Sequence, residues 1–322
     1  MIWTGSEMIV WGGEGDETGS ELFSDGAAYD PETERWRMLA SSPIAARRYH
    51  VAAWTGTEML VVGGVDERDG AKYSPASDSW EMVSVSPIPM GPPAGAPIEG
   101  VVGSVWTGEQ LVVWHVASDQ LAAYDPGVDE WTLLPPTGLP VDNGALRWNG
   151  EEVYAFGAHV ASYPSDNELL VSRLRDGQWQ QLPSAEFSTP EHNIAARAIL
   201  TGWASDHFVA WSGDGRQGLT LAFAPDEGGW RQIARNPDPP CDGQGEPIQA
   251  YDAIISFGWC GPNAAIYEPS NGSWTAFEVT GYPTARYTIW TGTEVLNWGD
   301  TCCYGTGGEP FTVRAWRSSP PS

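Results

Sequence analysis

Tryptophan returns along this chain in one setting. Trp36, Trp80, Trp131, Trp179, Trp230 and Trp274 each follow a short turn-rich stretch and open a brief apolar run: WRML, WEMV, WTLL, WQQL, WRQI and WTAF. Their successive spacings are 44, 51, 48, 51 and 44 residues. A repeat of about 50 residues made only of short strands and turns is the pattern of four-stranded sheets set side by side. One such sheet cannot bury both of its faces, so its neighbours must complete its core. The repeat therefore predicts an all-β chain built as a β-propeller.

The second repeat shows the unit most clearly. RRYHVAAW (Arg47 to Trp54) reads as a first strand, TGTE (Thr55 to Glu58) as a turn, and MLVVGG (Met59 to Gly64) as a second strand ending in two glycines. AKYSP (Ala71 to Pro75) reads as a third strand stopped by proline, and WEMV (Trp80 to Val83) as the fourth. These runs are short, rich in Val, Tyr and Trp, and bounded by Gly, Pro, Asp and Ser, which indicates strand and turn rather than helix. The first turn recurs as WTGSE at Trp3, WTGTE at Trp54, WTGEQ at Trp106, WNGEE at Trp148 and WTGTE at Trp290. The fifth copy is blurred in LTGWASD (Leu200 to Asp206), and the sixth is shortened around Tyr251 and Asp252. Third strands recur as AAYDP at Ala27 and Ala122, AFAP at Ala222 and AIYEP at Ala265. The repeated aromatics are expected to pack the core between blades.

Paired glycines after a second strand, a Tyr-Asp-Pro third strand and a tryptophan about six residues later together resemble the kelch repeat. The resemblance spans essentially the whole chain, with departures at Trp114-His115, Ser212-Gly213 and Gly299-Asp300 in place of the double glycine. It implies a seven-bladed β-propeller of four-stranded blades forming one domain over residues 1–322. Seven first hairpins face six tryptophan strands, and the chain ends in FTVRAWRSSPPS (Phe311 to Ser322), a third strand without a fourth. A closed propeller leaves no edge unpaired. The last blade is therefore expected to lack its outer strand, which residues upstream of Met1 would supply.

Charge narrows the partners. Forty-two acidic residues face 16 basic ones, a net charge of -26, and Lys72 is the only lysine. Phosphate recognition needs clustered basic side chains, so nucleic acid and anionic membrane are not expected as partners. No stretch of 18 apolar residues is present to span a bilayer. No signal peptide is visible in this sequence.

Loop length indicates where function sits. The first hairpin turn and the YDP-to-Trp link are short and uniform. The links after second strands, such as EGDETGSELFSDG (Glu14 to Gly26) and DTCCYGTGGEP (Asp300 to Pro310), vary in length. So do the links between blades, such as SVSPIPMGPPAGAPIEG (Ser84 to Gly100) and ARNPDPPCDGQGEP (Ala234 to Pro247). Alternate connections of an up-and-down blade emerge on one face, so both variable classes share a rim. Variable loops on a rigid scaffold are where binding sites concentrate.

Arg47, Arg48, Arg197 and Arg286 lie just before or at the start of first strands in ARRY, AARA and TARY. The kelch resemblance implies that this position faces the central channel mouth. A ring of guanidinium groups there suits carboxylates or sugar hydroxyls. The alternative is that these arginines pair with acidic loops and fix blade orientation. The candidate ligand-binding residues are Arg48, Tyr49, Arg197, Arg286 and Tyr287.

His115, His159 and His192, with Glu191 beside the last, fall on loops of the same face, and the first two open a repeated HVAS string. They lack the short fixed spacing of a metal motif, so no metal or cofactor is expected. His50 and His207 read as structural. Cys241, Cys260, Cys302 and Cys303 all fall on loops of the two last repeats. An even count confined to exposed loops indicates two disulfides and an extracellular or periplasmic location. Of three possible connectivities, Cys241–Cys260 with a vicinal Cys302–Cys303 bond is preferred, with cross-blade pairing as the alternative.

No GxSxG, HExxH, phosphate-loop or dinucleotide signature occurs. The kelch class includes copper-radical sugar oxidases and sugar mutarotases, but no Tyr, Cys and His set of the oxidases can be matched here. The sequence thus leads to a secreted or surface-exposed module that binds a protein or glycan. A carbohydrate-active enzyme of sugar oxidase or epimerase type at the channel mouth is the alternative. In protein isolated from its native host, non-reducing mass spectrometry is expected to find no free thiol at any of the four cysteines. Four alkylatable thiols would refute both the disulfides and the location.

Overall fold

A computed structural model describes residues 1–15, 21–91, 102–141, 143–159, 167–187, 198–212, 220–234, 248–250, 253–257, 263–278, 287–298 and 315–316. Among the described residues the chain is all β, with one short 3-10 turn at Val116–Ser118. The first sheet holds β1 (Ile2–Trp3), β2 (Met8–Trp11), β3 (Gly26–Asp30) and β4 (Arg35–Met38); the second β5 (Val51–Trp54), β6 (Met59–Gly64), β7 (Glu67–Ser74) and β8 (Ser79–Val83). The third holds β9 (Val102–Trp106), β10 (Leu111–His115), β11 (Gln120–Asp125) and β12 (Glu130–Leu134). The fourth holds β13 (Asn143–Trp148), β14 (Val153–His159), β15 (Asn167–Arg175) and β16 (Gln178–Gln181), with β17 (Ala185–Phe187) added against β15. The fifth holds β18 (Ala198–Ala204), β19 (His207–Ser212), β20 (Thr220–Ala224) and β21 (Gly229–Gln232). The sixth holds β22 (Ile248–Ala250), β23 (Ala253–Phe257), β24 (Asn263–Glu268) and β25 (Ser273–Glu278). The last holds β26 (Tyr287–Trp290), β27 (Val295–Trp298) and β28 (Ala315–Trp316).

The main path of every sheet is an antiparallel meander in chain order, from which β17 departs by pairing with β15. The expectation of seven blades needs correcting: six sheets are complete four-strand blades, and the last has three strands among the described residues. Among the described residues its third strand is Ala315–Trp316, paired with β27. The chain divides into two compact units, Met1–Gly157 with Val171–Gln181, and Ala158–Leu170 with Leu182–Ser322.

Within each unit, consecutive sheets meet along their first strands. β1 adjoins β5, β5 adjoins β9 and β9 adjoins β13; in the other unit β18 adjoins β22 and β22 adjoins β26. The second strands fill the spaces between sheets, which explains why MLVVGG is apolar at every position rather than at alternate ones. Met59 and Val61 pack with Ile2, Ile9 and Ala28 of the first sheet, while Leu60 and Val62 pack with Leu111, Val113 and Ala122 of the third. In the other unit Ile254 packs with Val209 and Ala222, and its neighbour Ile255 with Val295.

The six repeat tryptophans are not fully buried, though Trp80, Trp131 and Trp274 pack against these clusters. They sit half-buried or exposed on fourth strands, each directly opposite an aromatic residue of the third strand: Tyr29–Trp36, Tyr73–Trp80, Tyr124–Trp131, Phe223–Trp230 and Tyr267–Trp274. Ring centroids in these pairs lie 5.0–5.2 Å apart and tilted. Leu174 takes the aromatic place opposite Trp179. The indole N–H is then free to reach the preceding sheet. Trp80 Nε1 donates to Ala40 O at 2.9 Å, Trp131 to Ser84 O at 2.8 Å, Trp179 to Pro135 O at 2.9 Å and Trp274 to Ala234 O at 3.0 Å. Each acceptor lies four residues beyond the previous tryptophan.

The first two of these contacts are closed into clamps. The Ala40 N–H donates to Asp78 Oδ1 at 2.9 Å and the Ser84 N–H to Asp129 Oδ1 at 2.8 Å. The same carboxylates accept from Tyr73 and Tyr124 hydroxyls, both at 2.7 Å. Glu34, Asp78, Asp129, Gly228 and Gly272 share a left-handed backbone at this turn, with φ between 46° and 79°. On the opposite turn, a Thr or Asn side chain caps the loop and the following glycine (Gly5, Gly56, Gly108, Gly150, Gly292) sits at φ 96–103°, which only glycine adopts without strain.

The blurred fifth-repeat turn resolves to Ser205-Asp206, at the end of LTGWASD, because a bulge between Leu200 and Gly202 carries the strand onward. One local expectation changes. The first strand of the second repeat begins at Val51 rather than Arg47, because Tyr49 has φ 60° and breaks the extended run. Tyr251 and Asp252 lie outside the described residues.

The clamps make two results measurable. Trp131→Phe keeps the ring contact but loses one hydrogen bond, and is expected to cost about 1 kcal/mol in urea unfolding. The bond from Tyr73 holds Asp78 below its ordinary pKa of 3.8; at Asp129 burial acts upward but the bonds from Ser84 and Tyr124 outweigh it. Their stabilisation is therefore complete above the ordinary carboxylate pKa and lost as pH falls through the depressed folded values. Unfolding of Asp129→Ala should show a weaker loss of stability than wild type between about pH 5 and pH 2.

Candidate functional site

The paired glycines of the second strand decide where the next link can run. Gly63 and Gly64 have φ 72° and 128°. A Cβ on Gly63 would lie 2.1 Å from Met90 Cβ, and one on Gly64 3.0 Å from the Arg48 carbonyl oxygen. In the first sheet a Cβ on Gly12 would lie 3.0 Å from the Arg47 carbonyl oxygen. The link into the second sheet thus crosses the strand end at backbone distance. Gly13 N–H donates to Arg47 O at 2.9 Å and Arg47 N–H to Phe23 O at 3.1 Å.

This crossing sets the Arg47–His50 corner. Arg47 is 2% exposed and turned inward. Its Nε donates to Ala45 O at 3.0 Å and its Nη1 to Gly63 O at 3.0 Å and Asp69 O at 3.2 Å, while the Asp69 carboxylate lies 2.7 Å away. A carboxylate and three carbonyls replace water at its Nε and Nη1, while Nη2 is buried with no hydrogen-bond partner among the described residues. Arg48 turns the other way. It pairs with the Glu14 carboxylate, and its guanidinium carbon stands 5.1 Å from the Tyr49 ring centroid.

Glu14 is itself fixed, by a β-bridge to Leu22 and by the bond from Gly15 N–H to Glu21 O at 2.9 Å. Tyr49 is an aromatic residue with left-handed backbone, a conformation that persists only where its surroundings hold it. Here the inward Arg47 holds one side. On the other, His50 packs edge-on against Trp11 at 5.3 Å. Burial lowers the His50 pKa to about 3, so its imidazole is neutral at physiological pH. His50 is therefore structural, in the way its sequence context implied.

Among the candidate residues, Arg48 and Tyr49 are brought together. Arg197 and Arg286 lie outside the described residues, and Tyr287 is described only as the backbone that opens β26. Arg48 is paired with an acidic loop residue, the alternative considered for these arginines. Sequence reasoning named Glu14 only as one of several acidic loop residues around these arginines and did not name Asp69; which of them meets an arginine depends on the glycine crossing.

His115 is buried at the end of β10, with Nδ1 2.7 Å from Ser118 Oγ, and burial lowers its pKa. His159 is exposed at the end of β14, and His192 lies outside the described residues. Among the described residues no three His, Cys, Asp or Glu side chains are grouped to hold a metal. His207 is buried between two hydrogen bonds, 2.9 Å to Asp206 and 2.9 Å to the Tyr267 hydroxyl, which ties the fifth sheet to the sixth. All four cysteines lie outside the described residues.

No protein-family model matches the chain. No curated protein matches it in sequence either. Its structure is similar to that of YjhT, with TM-score 0.53 and 12% identity over 85% of this chain and 95% of that one. It is also similar to a fungal alcohol oxidase of the AA5 family in complex with copper, with TM-score 0.58 and 11% identity over 92% of this chain and 68% of that one. At such identities the likeness shows the fold alone. The chain has a β-propeller fold. No helix among the described residues of this propeller is long and apolar enough to cross a membrane.

The two arginines of this corner should separate in mutagenesis. Arg47→Ala leaves Asp69 and three carbonyls without their buried partner and is expected to cost about 3–5 kcal/mol. Arg48→Ala breaks a partly exposed pair and is expected to cost under about 1 kcal/mol. Chemical denaturation of both variants measures the contrast.

Proposed function

We propose that this chain is a kelch-type propeller that serves as a secreted or surface-exposed binding module for a protein or glycan. Its ligand-binding face carries Arg48 and Tyr49, with Arg197, Arg286 and Tyr287 at the corresponding positions of other repeats. The observation that carries this reading is the Arg48–Glu14 pair set against Tyr49 and held from below by the buried Arg47. Side chains locked by their surroundings present donors and acceptors at little entropic cost, which is what a binding surface needs. The strained Tyr49 backbone adds support, since such conformations concentrate at functional sites.

A second reading, a carbohydrate-active enzyme of oxidase or epimerase type at the channel mouth, is favoured by the fold likeness to the AA5 alcohol oxidase. Fold likeness is a weak warrant for chemistry, because one scaffold hosts many activities. A glycan and peptide array with the full chain separates the readings, together with a turnover screen on a sugar panel. Capture without turnover supports the binding module. Arg48→Ala and Arg197→Ala should each weaken that capture by roughly 1.5–3 kcal/mol, with the melting temperature nearly unchanged. Turnover that requires a bound metal would establish the enzyme instead.

A further inference from the structure

The electrostatics of the Arg48 corner select among ligands. Arg48 does not stand as a free cation: Glu14 neutralises it, and Asp69 neutralises Arg47 beneath. The corner therefore carries no net charge from these four groups, on a chain whose net charge is -26. An anionic ligand would meet long-range repulsion from the whole molecule. At close range it would compete with Glu14 for the same guanidinium. A cationic ligand would compete with Arg48 for Glu14 in the same way.

An uncharged ligand with neighbouring hydroxyls meets neither difficulty. Guanidinium only donates and carboxylate only accepts, whereas a hydroxyl does both. An Arg–carboxylate pair therefore offers one hydroxyl a donor and its neighbour an acceptor, each charge-assisted. The pair is reachable: the side chains of Arg48 and Glu14 are 29% and 22% exposed. It is also set in advance, since Glu14 is anchored through the Leu22 bridge and Arg48 through the Tyr49 ring.

Resting on the reading of this corner as a ligand site, we propose that its ligand is a neutral, hydroxyl-rich glycan. Arg48 and Glu14 bind adjacent hydroxyls as a joined donor and acceptor, and Glu14 is the residue that rejects acidic sugars. The specificity thus lies in the carboxylate and not in the arginine.

The test is calorimetry and array binding of the full chain against neutral oligosaccharides and matched uronate- or sialate-containing ones. Wild type is expected to prefer the neutral members. Glu14→Gln should weaken neutral binding on the order of ten- to a hundredfold and raise binding of the acidic members, because it removes a charged acceptor and the negative charge that competes with an acidic ligand. Arg48→Ala should weaken both classes. Thermal melting of each variant separates these shifts from unfolding, and Glu14→Asp, which keeps the charge, should retain the neutral preference. Tighter wild-type binding of acidic glycans, or an unchanged ranking in Glu14→Gln, overturns this inference while leaving the site in place. A wild-type chain that binds no glycan of either class overturns the inference. Loss of peptide capture in Arg48→Ala would then keep the corner as a ligand site, and unchanged capture would remove it.

Discussion

The indole N–H reaching back to the preceding sheet is the contact on which this architecture depends. A four-stranded antiparallel sheet is complete in its own hydrogen bonds, so nothing in its ladder ties it to a neighbour. Apolar packing between second strands supplies adhesion but not register, because hydrophobic contact has no direction. Trp80, Trp131, Trp179 and Trp274 supply the direction, each donating to a carbonyl four residues past the previous tryptophan. Asp78 and Asp129 hold the N–H of the same peptide segment, so Ala40 and Ser84 are gripped on both backbone groups. Each such bond contributes only about 1 kcal/mol, but it recurs, and it fixes one sheet's fourth strand relative to the next.

The same logic places the candidate site. The Asp78 clamp fixes one end of the link into the second sheet, and Gly12 and Gly13 fix the other, where a Cβ on Gly12 would leave no room for the crossing Arg47 carbonyl. The link into the second sheet, held at both ends, has to turn sharply before β5 can begin. Arg47 and His50 are driven inward by that turn, and Arg48 and Tyr49 are left on the surface. The corner is therefore a by-product of the repeat that its side chains have turned into a polar, charge-balanced surface. The fold likeness to a copper-bound oxidase and to YjhT shares the scaffold with this chain and leaves that corner's chemistry to its own residues.

Much of the scaffold was legible in the sequence, and for identifiable reasons. Strand order within each sheet followed from turn residues at short spacing, since antiparallel neighbours joined by tight turns admit little else. MLVVGG read as a second strand ending in two glycines and Trp-Thr-Gly-x-Glu as a turn; the structure adds that the strand is buried at every position and that the turn glycine has positive φ. The blurred fifth repeat held its turn inside LTGWASD, and only the structure shows that a bulge after Leu200 carries the hairpin to Ser205-Asp206. The repeated aromatics were expected to pack between blades, and Trp80, Trp131 and Trp274 do pack against the buried clusters. The repeat did not announce that from their outer strands they also supply a polar N–H.

What the sequence alone determined is whatever depends on neighbours along the chain: strand, turn, repeat period and the apolar pattern that makes sheets pack. What only the tertiary structure decided is which charges meet. Glu14 and Arg48 are 34 residues apart, and Arg47 and Asp69 are 22 apart, each pair separated by intervening strands. Nothing local distinguishes Glu14 from the other acidic loop residues around it. Coulombic pairing acts over a few ångströms in space, so partner choice waits until the glycine crossing has brought the two loops together.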